Sequence, residues 1–201
     1  MKKLILLSLL LAAFADRAFA DSPLTSTEWW KYYENKAVVV EAHEYGCTQN
    51  VMKIICGHEY PVDLRLALVN AMGWNFEGQR HFSLCLDYYQ KTYNLTDDEL
   101  GEHMDAETYC VFAYLLALDN YFDVSDAFDI TYHAYEMKPQ SRAIGMITGL
   151  IAAQIAMDDN WCDVYNNVAP IAPDNTLIPD MSDYAVRQIM DYIGLYAEYC
   201  K

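Results

Sequence analysis

The chain has 201 residues, of which 13 are basic and 29 acidic, and its formal net charge is −16. Because 54% of the residues are hydrophobic and 21% are charged, the composition excludes a disordered tail, and the acidic balance excludes nucleic-acid binding through a basic patch. The length predicts a single domain with a buried core.

The N-terminus has the pattern of a secretory signal peptide. A positively charged start precedes an apolar run over residues 4–14, and the small-residue sequence Ala18-Phe19-Ala20 follows. We expect cleavage after residue 20, which leaves residues 21–201 as one helical domain with 10 basic and 28 acidic residues, a net charge of −18. The mature protein is therefore expected to be periplasmic or secreted, without membrane insertion; an uncleaved N-terminal anchor is the alternative.

Apolar residues at three- and four-residue spacing predict helices along the mature chain, and alternating strand patterns are weak. Capping boxes at residues 25–28 and 96–99 mark helix starts, and three prolines mark residues 169–179 as a loop. We expect an all-α fold of stacked antiparallel helical hairpins. The predicted helices span residues 25–45, 63–74, 79–93, 105–120, 126–137, 142–157, 159–168 and 180–199.

All six cysteines lie in the mature chain, and an even number in an exported protein predicts disulfides. The sequence alone does not choose among the possible pairings. We expect neighbours along the chain to pair: Cys47 with Cys56, Cys85 with Cys110, and Cys162 with Cys200.

The first cysteine pair has an alternative role as metal ligands. His43, Cys47, Cys56 and His58 supply four soft ligands of the kind that Zn²⁺ binds. Their spacing matches no established zinc motif, and an oxidising compartment favours the disulfide. We therefore expect no metal and no cofactor.

A helix–turn–helix pattern recurs weakly after about forty residues, which is a period typical of stacked helix pairs. Residues 106–139 resemble a tetratricopeptide (TPR) repeat, whereas residues 63–94 and 142–169 match it only loosely. The turn at 119–125 is longer than in the family, and an irregular α-bundle is the alternative. The matching residues stand at the family's large, paired, small and closing positions: Tyr109, Phe112-Ala113, Ala127, Ala134 and Pro139.

The resemblance implies a scaffold that holds a peptide or protein in a concave groove lined by the first helix of each repeat. Carried onto residues 106–139, the groove-facing candidates are Glu107 and Tyr114, with Cys110 between them. A second candidate binding site is the aromatic cluster at 29–33, which includes Trp29 and Trp30, because consecutive aromatic side chains cannot all face one core.

The sequence contains no Walker motif, no nucleophile elbow and no dinucleotide-binding fingerprint. We therefore expect an exported, non-catalytic binding scaffold for a protein or peptide partner, and the acidity favours a basic partner. One alternative is a periplasmic immunity protein that neutralises a toxin. Another is an enzyme with an unrecognised carboxylate site.

Overall fold

The computed structural model describes residues 22–201, so the predicted signal peptide lies outside the described residues. Helices make up 65% of this part of the chain, which has no strand, and the all-α class is confirmed. There are ten α-helices in it, together with 3₁₀ helices at Trp29–Tyr33 and Gly194–Tyr199. The α-helices are α1 Ala37–Tyr45, α2 Gln49–Ile55, α3 Val62–Met72, α4 His81–Tyr93, α5 Asp97–His103, α6 Ala106–Asp119, α7 Ser125–Met137, α8 Arg142–Ala156, α9 Trp161–Asn166 and α10 Asp183–Ile193.

Helix α6 is the centre of the core. Ten of its fourteen residues are buried, which explains why its sequence is apolar on every side. It packs against α3 and α4 on one side and against α7 and α8 on the other. One continuous hydrophobic core results.

Successive helices stack as hairpins in the second half of the chain. The contact between α6 and α7 is the most extensive, and α7 packs next on α8. Ala127 and Ala134 are buried on α7, where small side chains let paired helices approach closely. Gly149 has a similar role on α8, because a Cβ there would lie 2.6 Å from the carbonyl oxygen of Asn167.

Side-chain caps open helices α5, α6 and α8. Asp105 accepts a hydrogen bond from the backbone N–H of Thr108 at the start of α6, and Ser141 caps α8 in the same way. The capping box at 96–99 opens α5. These local bonds satisfy backbone donors that a helix leaves free in its first turn.

The predicted helix over residues 25–45 is wrong in its first half. Residues 22–28 form turns, the 3₁₀ helix Trp29–Tyr33 follows, and α1 begins only at Ala37. The 3₁₀ geometry buries Trp29, Trp30 and Tyr33 together. The backbone N–H of Trp30 donates to Asn70 Oδ1 of α3, so a contact with a distant segment overrides the local capping signal.

Other boundaries also differ from the prediction. The sequence gives no sign of α2, which is short, and the last helix changes to a 3₁₀ helix at Gly194. Helix α3 ends at Met72 because Gly73 adopts a positive φ of 64°, a conformation that favours glycine and terminates helices.

One of the three expected cysteine pairs is confirmed. A disulfide joins Cys162, in α9, to Cys200, directly after the last 3₁₀ helix. It connects two segments that already pack against each other.

The other two expected pairs, Cys47–Cys56 and Cys85–Cys110, are not formed, and all four of these cysteines carry free thiols. The helices bring Cys85 close to Cys47 instead, with 3.6 Å between their sulfur atoms. Cys110 lies fully buried on α6, where its thiol hydrogen-bonds with Thr131 of α7. For these four cysteines, helix packing rather than proximity along the chain decides which thiols lie close together.

Candidate binding pocket

The residues predicted to bind a partner lie in different environments. Trp29 and Tyr114 have no exposed surface, and Glu107 forms a 2.6 Å salt bridge with Lys138. Tyr114 therefore faces the core rather than a groove, as Cys110 does. Trp30 is 7% exposed and lines the pocket described next, whereas Glu107 lines a separate pocket together with Lys138.

This pocket, hereafter the aromatic pocket, has a volume of about 280 Å³. It lies between the turns at 22–28, helices α1 and α3, and the end of α6. A concave site with apolar walls and a few polar groups is the usual form of a ligand site. Its lining residues are Leu24, Thr25, Thr27, Glu28, Trp30, His43, Asn70, Ala71, Met72, Gly73, Trp74 and Leu118.

Asn70 holds the pocket together. Its Oδ1 accepts a hydrogen bond from the backbone N–H of Trp30 at 3.0 Å. Its Nδ2 donates to the carbonyl oxygen of Thr27 and to the hydroxyl of Tyr114. The buried Asn70 side chain on α3 thus connects the N-terminal turns to α6. Tyr114 is the hydrogen-bond partner of Asn70 on α6.

Thr27 and His43 add polar side chains to the pocket lining. Thr27 is 6% exposed, and its Oγ1 has no hydrogen-bond partner in the described structure. His43 stacks on Trp30 with 4.5 Å between ring centroids, and its Nδ1 lies 3.2 Å from the carbonyl oxygen of Ala71. Because a carbonyl only accepts, Nδ1 donates this hydrogen bond.

A group of four aromatic rings, two of them exposed, adjoins the pocket at Trp74. We call Trp74, Phe76, Tyr121 and Phe122 the aromatic rim. Trp74 stacks on Tyr121 at 4.3 Å, and Phe76 and Phe122 meet edge to face at 5.7 Å. Phe76 is 76% and Phe122 is 73% exposed. Large exposed aromatic groups are typical of interaction surfaces.

Two turns present the rim. Trp74 and Phe76 lie in the turn between Gly73 and Gly78, both of which have positive φ. Tyr121 and Phe122 lie in the turn between α6 and α7. The sequence analysis missed the rim, although large aromatic residues among turn-forming Gly, Asn and Asp are a signal that could have found it.

Lys31 does not line the pocket, but its ammonium group lies beside two residues that do. The Lys31 ammonium lies 2.5 Å from Glu28 Oε2 and 5.9 Å from the centroid of the Trp30 ring. Both acceptors line the pocket, and an ammonium or guanidinium group is attracted by an aromatic face and by a carboxylate. The pocket chemistry therefore suits a basic side chain.

A second polar cluster lies outside the pocket, on α4 and the junction of α5 and α6. Asp105 accepts a hydrogen bond from His58 Nδ1 at 3.1 Å, and His58 Nε2 lies 3.0 Å from the hydroxyl of Tyr89. His103 Nδ1 lies 2.8 Å from the same hydroxyl. Burial raises the pKa of Tyr89, so its hydroxyl stays protonated and donates. We interpret the cluster as a hydrogen-bond network that fixes the orientations of these four side chains.

This network makes the stability depend on pH in the acid range. Burial opposes ionisation of Asp105, but hydrogen bonds from Thr108 and His58 outweigh it, and the pKa of Asp105 lies below its ordinary value. A lowered carboxyl pKa contributes stability that is present above the unfolded-state pKa and lost as the pH falls through the folded-state pKa. Asp105→Asn should therefore destabilise the protein at pH 7, by less than about 1 kcal/mol because the side chain is 52% exposed.

Urea unfolding of both proteins between pH 7 and pH 2.5 measures the effect. The difference between wild type and Asp105→Asn should shrink as the pH falls below about 4. Glu198→Gln, at an exposed position, is the control and should give a constant difference. A difference for Asp105→Asn that grows towards low pH would contradict the assignment.

The alternative zinc site is not assembled. His43 lies at the aromatic pocket, whereas His58 belongs to the network with Tyr89. Within residues 22–201 no group of three or more His, Cys, Asp or Glu side chains is placed to hold a metal ion. Over the same residues, no helix has both the length and the apolar character needed to cross a membrane.

Comparison with known proteins gives no relative. No family model matches the chain, and no curated protein and no solved structure is significantly similar to it.

Proposed function

We propose that the protein is an exported, non-catalytic scaffold that binds a basic peptide segment of a partner protein at the aromatic pocket and rim. The exposure of Phe76 and Phe122 beside the pocket carries the proposal. An isolated monomer gains nothing by keeping two phenylalanines in water, whereas their burial at an interface contributes about 1.5–3 kcal/mol each when complete.

The negative charge of the protein favours a basic partner. The net charge of −18 that residues 21–201 carry, with 10 basic and 28 acidic residues, attracts a basic partner at long range. At short range, Glu28 and the ring of Trp30 already accept the ammonium of Lys31. A partner segment in which an apolar residue adjoins Lys or Arg would place the apolar side chain on the aromatic rim and the basic side chain in the aromatic pocket.

Export remains part of the proposal. The signal-peptide pattern supports it, and so does the disulfide between Cys162 and Cys200, since disulfides persist in oxidising compartments. The periplasm and the extracellular space are both compatible with these features. A TPR relationship for residues 106–139 also remains a proposal, supported by the α6–α7 hairpin and its buried alanines.

Selection from a random linear-peptide library on the immobilised protein tests the binding proposal. The enriched peptides should combine Lys or Arg with an aromatic residue or leucine. The double variant Phe76→Ser/Phe122→Ser should bind them at least about tenfold more weakly, which corresponds to about 1.4 kcal/mol. Isothermal titration calorimetry with the best synthetic peptide measures the change.

A matched control removes two exposed rings elsewhere. Tyr132 and Tyr135 lie on α7, outside the rim, and are 47% and 37% exposed. Tyr132→Ser/Tyr135→Ser should bind the peptide with the wild-type affinity. Equal affinities for wild type and the rim variant, or enrichment of acidic peptides, would contradict the proposal.

A further inference from the structure

Three sulfur atoms meet behind the aromatic pocket. The Cys47 Sγ lies 3.6 Å from the Cys85 Sγ and 3.5 Å from the Sδ of Met72. Cys47 follows the end of α1, Cys85 lies in α4, and Met72 is the last residue of α3. A disulfide bond is about 2.05 Å long, so the two sulfur atoms must approach each other by roughly 1.5 Å for the bond to form.

We infer that Cys47 and Cys85 form a redox pair, in which the partly exposed Cys47 reacts with a disulfide oxidant and the buried Cys85 then closes an internal disulfide. The two residues differ in the way such a pair requires. Cys47 is partly exposed, whereas Cys85 has no exposed surface. A small oxidant therefore reaches Cys47 first.

The reaction balances with oxidised glutathione as the oxidant. The Cys47 thiolate attacks one sulfur of glutathione disulfide, which gives a Cys47–glutathione mixed disulfide and one glutathione thiolate. The Cys85 sulfur then attacks Cys47 Sγ and releases the second glutathione, which takes up the Cys85 proton. The protein loses two thiols, and one glutathione disulfide is reduced to two thiols.

Cys85 is suited to the second step rather than the first. Hydrogen bonds with the Cys47 and Cys56 thiols, together with burial, raise the pKa of Cys85. Because thiolates are the attacking species, a thiol with a raised pKa reacts slowly with an external oxidant. It still reacts with a sulfur held beside it, since the effective concentration there is high.

Cys56 and Cys110 should remain thiols. The Cys56 thiol donates to the carbonyl oxygen of Cys85 at 3.4 Å and is 1% exposed. Cys110 is fully buried, and burial raises the pKa of its thiol to about 12. Cys56 is the competing partner for Cys85, and the experiment must distinguish the two.

Non-reducing tryptic mapping makes this distinction. Lys53, Arg65, Arg80 and Lys91 separate Cys47, Cys56, Cys85 and Cys110 onto different peptides. The protein is reduced with a phosphine, the phosphine is removed, and oxidised glutathione is added. Mass spectrometry should then find the Cys47 peptide linked to the Cys85 peptide, with Cys56 and Cys110 available to an alkylating reagent.

The variants identify the order of attack. Cys85→Ser should accumulate the glutathione adduct on Cys47, and Cys47→Ser should leave Cys85 as a thiol. Cys110→Ser is the matched control, which should form the Cys47–Cys85 link at the wild-type rate. Circular dichroism checks that each variant keeps its helical content.

The wild-type protein decides the proposal even if a variant fails to fold. A link from Cys56 to Cys85 or to Cys47 would overturn it. So would a glutathione adduct that persists on Cys47 of the wild type, or the absence of any Cys47–Cys85 link after prolonged exposure to the oxidant.

Discussion

Replacing Arg65 with alanine should lower the free energy of unfolding by about 3–5 kcal/mol, the largest effect expected of any single substitution considered for this protein. Arg65 lies on α3 and has no exposed surface. Its Nε donates to the carbonyl oxygen of Ile55 at 2.9 Å, and its Nη2 donates to Thr108 Oγ1 at 3.0 Å. One side chain thus joins α2, α3 and α6.

The alanine substitution removes both bonds and leaves a cavity. The carbonyl oxygen of Ile55 belongs to the last residue of α2, and a buried acceptor without a partner costs about 1–3 kcal/mol. The lost volume adds a further cost. Burial of the Arg65 charge is itself unfavourable: it lowers the pKa of Arg65, and the charges of Asp105 and Glu107 oppose this shift only in part. The alanine substitution removes that buried charge, which offsets part of the expected loss of stability.

Arg65→Met separates the two contributions. Methionine fills part of the volume but donates no hydrogen bond. The free energy of unfolding of Arg65→Met should therefore lie between those of wild type and Arg65→Ala. Urea unfolding monitored by circular dichroism gives each free energy. Arg187→Ala, at an exposed position on α10, should change stability by less than about 0.5 kcal/mol. A loss below about 1 kcal/mol for Arg65→Ala would show that Arg65 does not join the three helices.

Removing the disulfide with Cys162→Ser/Cys200→Ser should destabilise the protein by about 2–4 kcal/mol. The bond closes a loop with a sequence separation of 38 residues, and its loss enlarges the conformational freedom of the unfolded chain. Trp161 and Tyr199, whose ring centroids are 4.8 Å apart, still hold the two segments together in the native state. The effect should therefore lie mainly in the unfolded state.

Thermal unfolding with and without a reductant measures this effect. For a domain of this size the double variant should unfold about 5–10 °C below wild type. A reductant should lower the unfolding temperature of the wild type towards that of the double variant. The unfolding temperature of the variant itself should change little. If the reductant lowered the unfolding temperature of both proteins equally, its effect would not come from the Cys162–Cys200 disulfide.

The helices were predictable wherever their signals are local. Ser141 caps the helix that follows it, and the capping box at 96–99 opens α5. The prediction failed at residues 25–36, where a capping box precedes two adjacent tryptophans. There the partner of the backbone is Asn70, about forty residues away in the chain, and no local pattern contains that information.

The candidate site was predictable only in part. Trp30 was identified because a helix cannot bury all the rings of an aromatic cluster, and it does line the pocket. Glu107 and Tyr114 came from the TPR resemblance, which assigns faces by repeat position. In the structure Lys138 pairs with Glu107, and Asn70 bonds to the buried Tyr114.

By itself, the sequence determined the helical class, the acidity and the pattern of an exported protein. These properties depend on composition and on residues within a few positions of each other. Only the tertiary structure decided which cysteines meet and which aromatic rings stay exposed. Both depend on how helices and turns that are distant in the chain pack against one another, and no local sequence pattern contains that information.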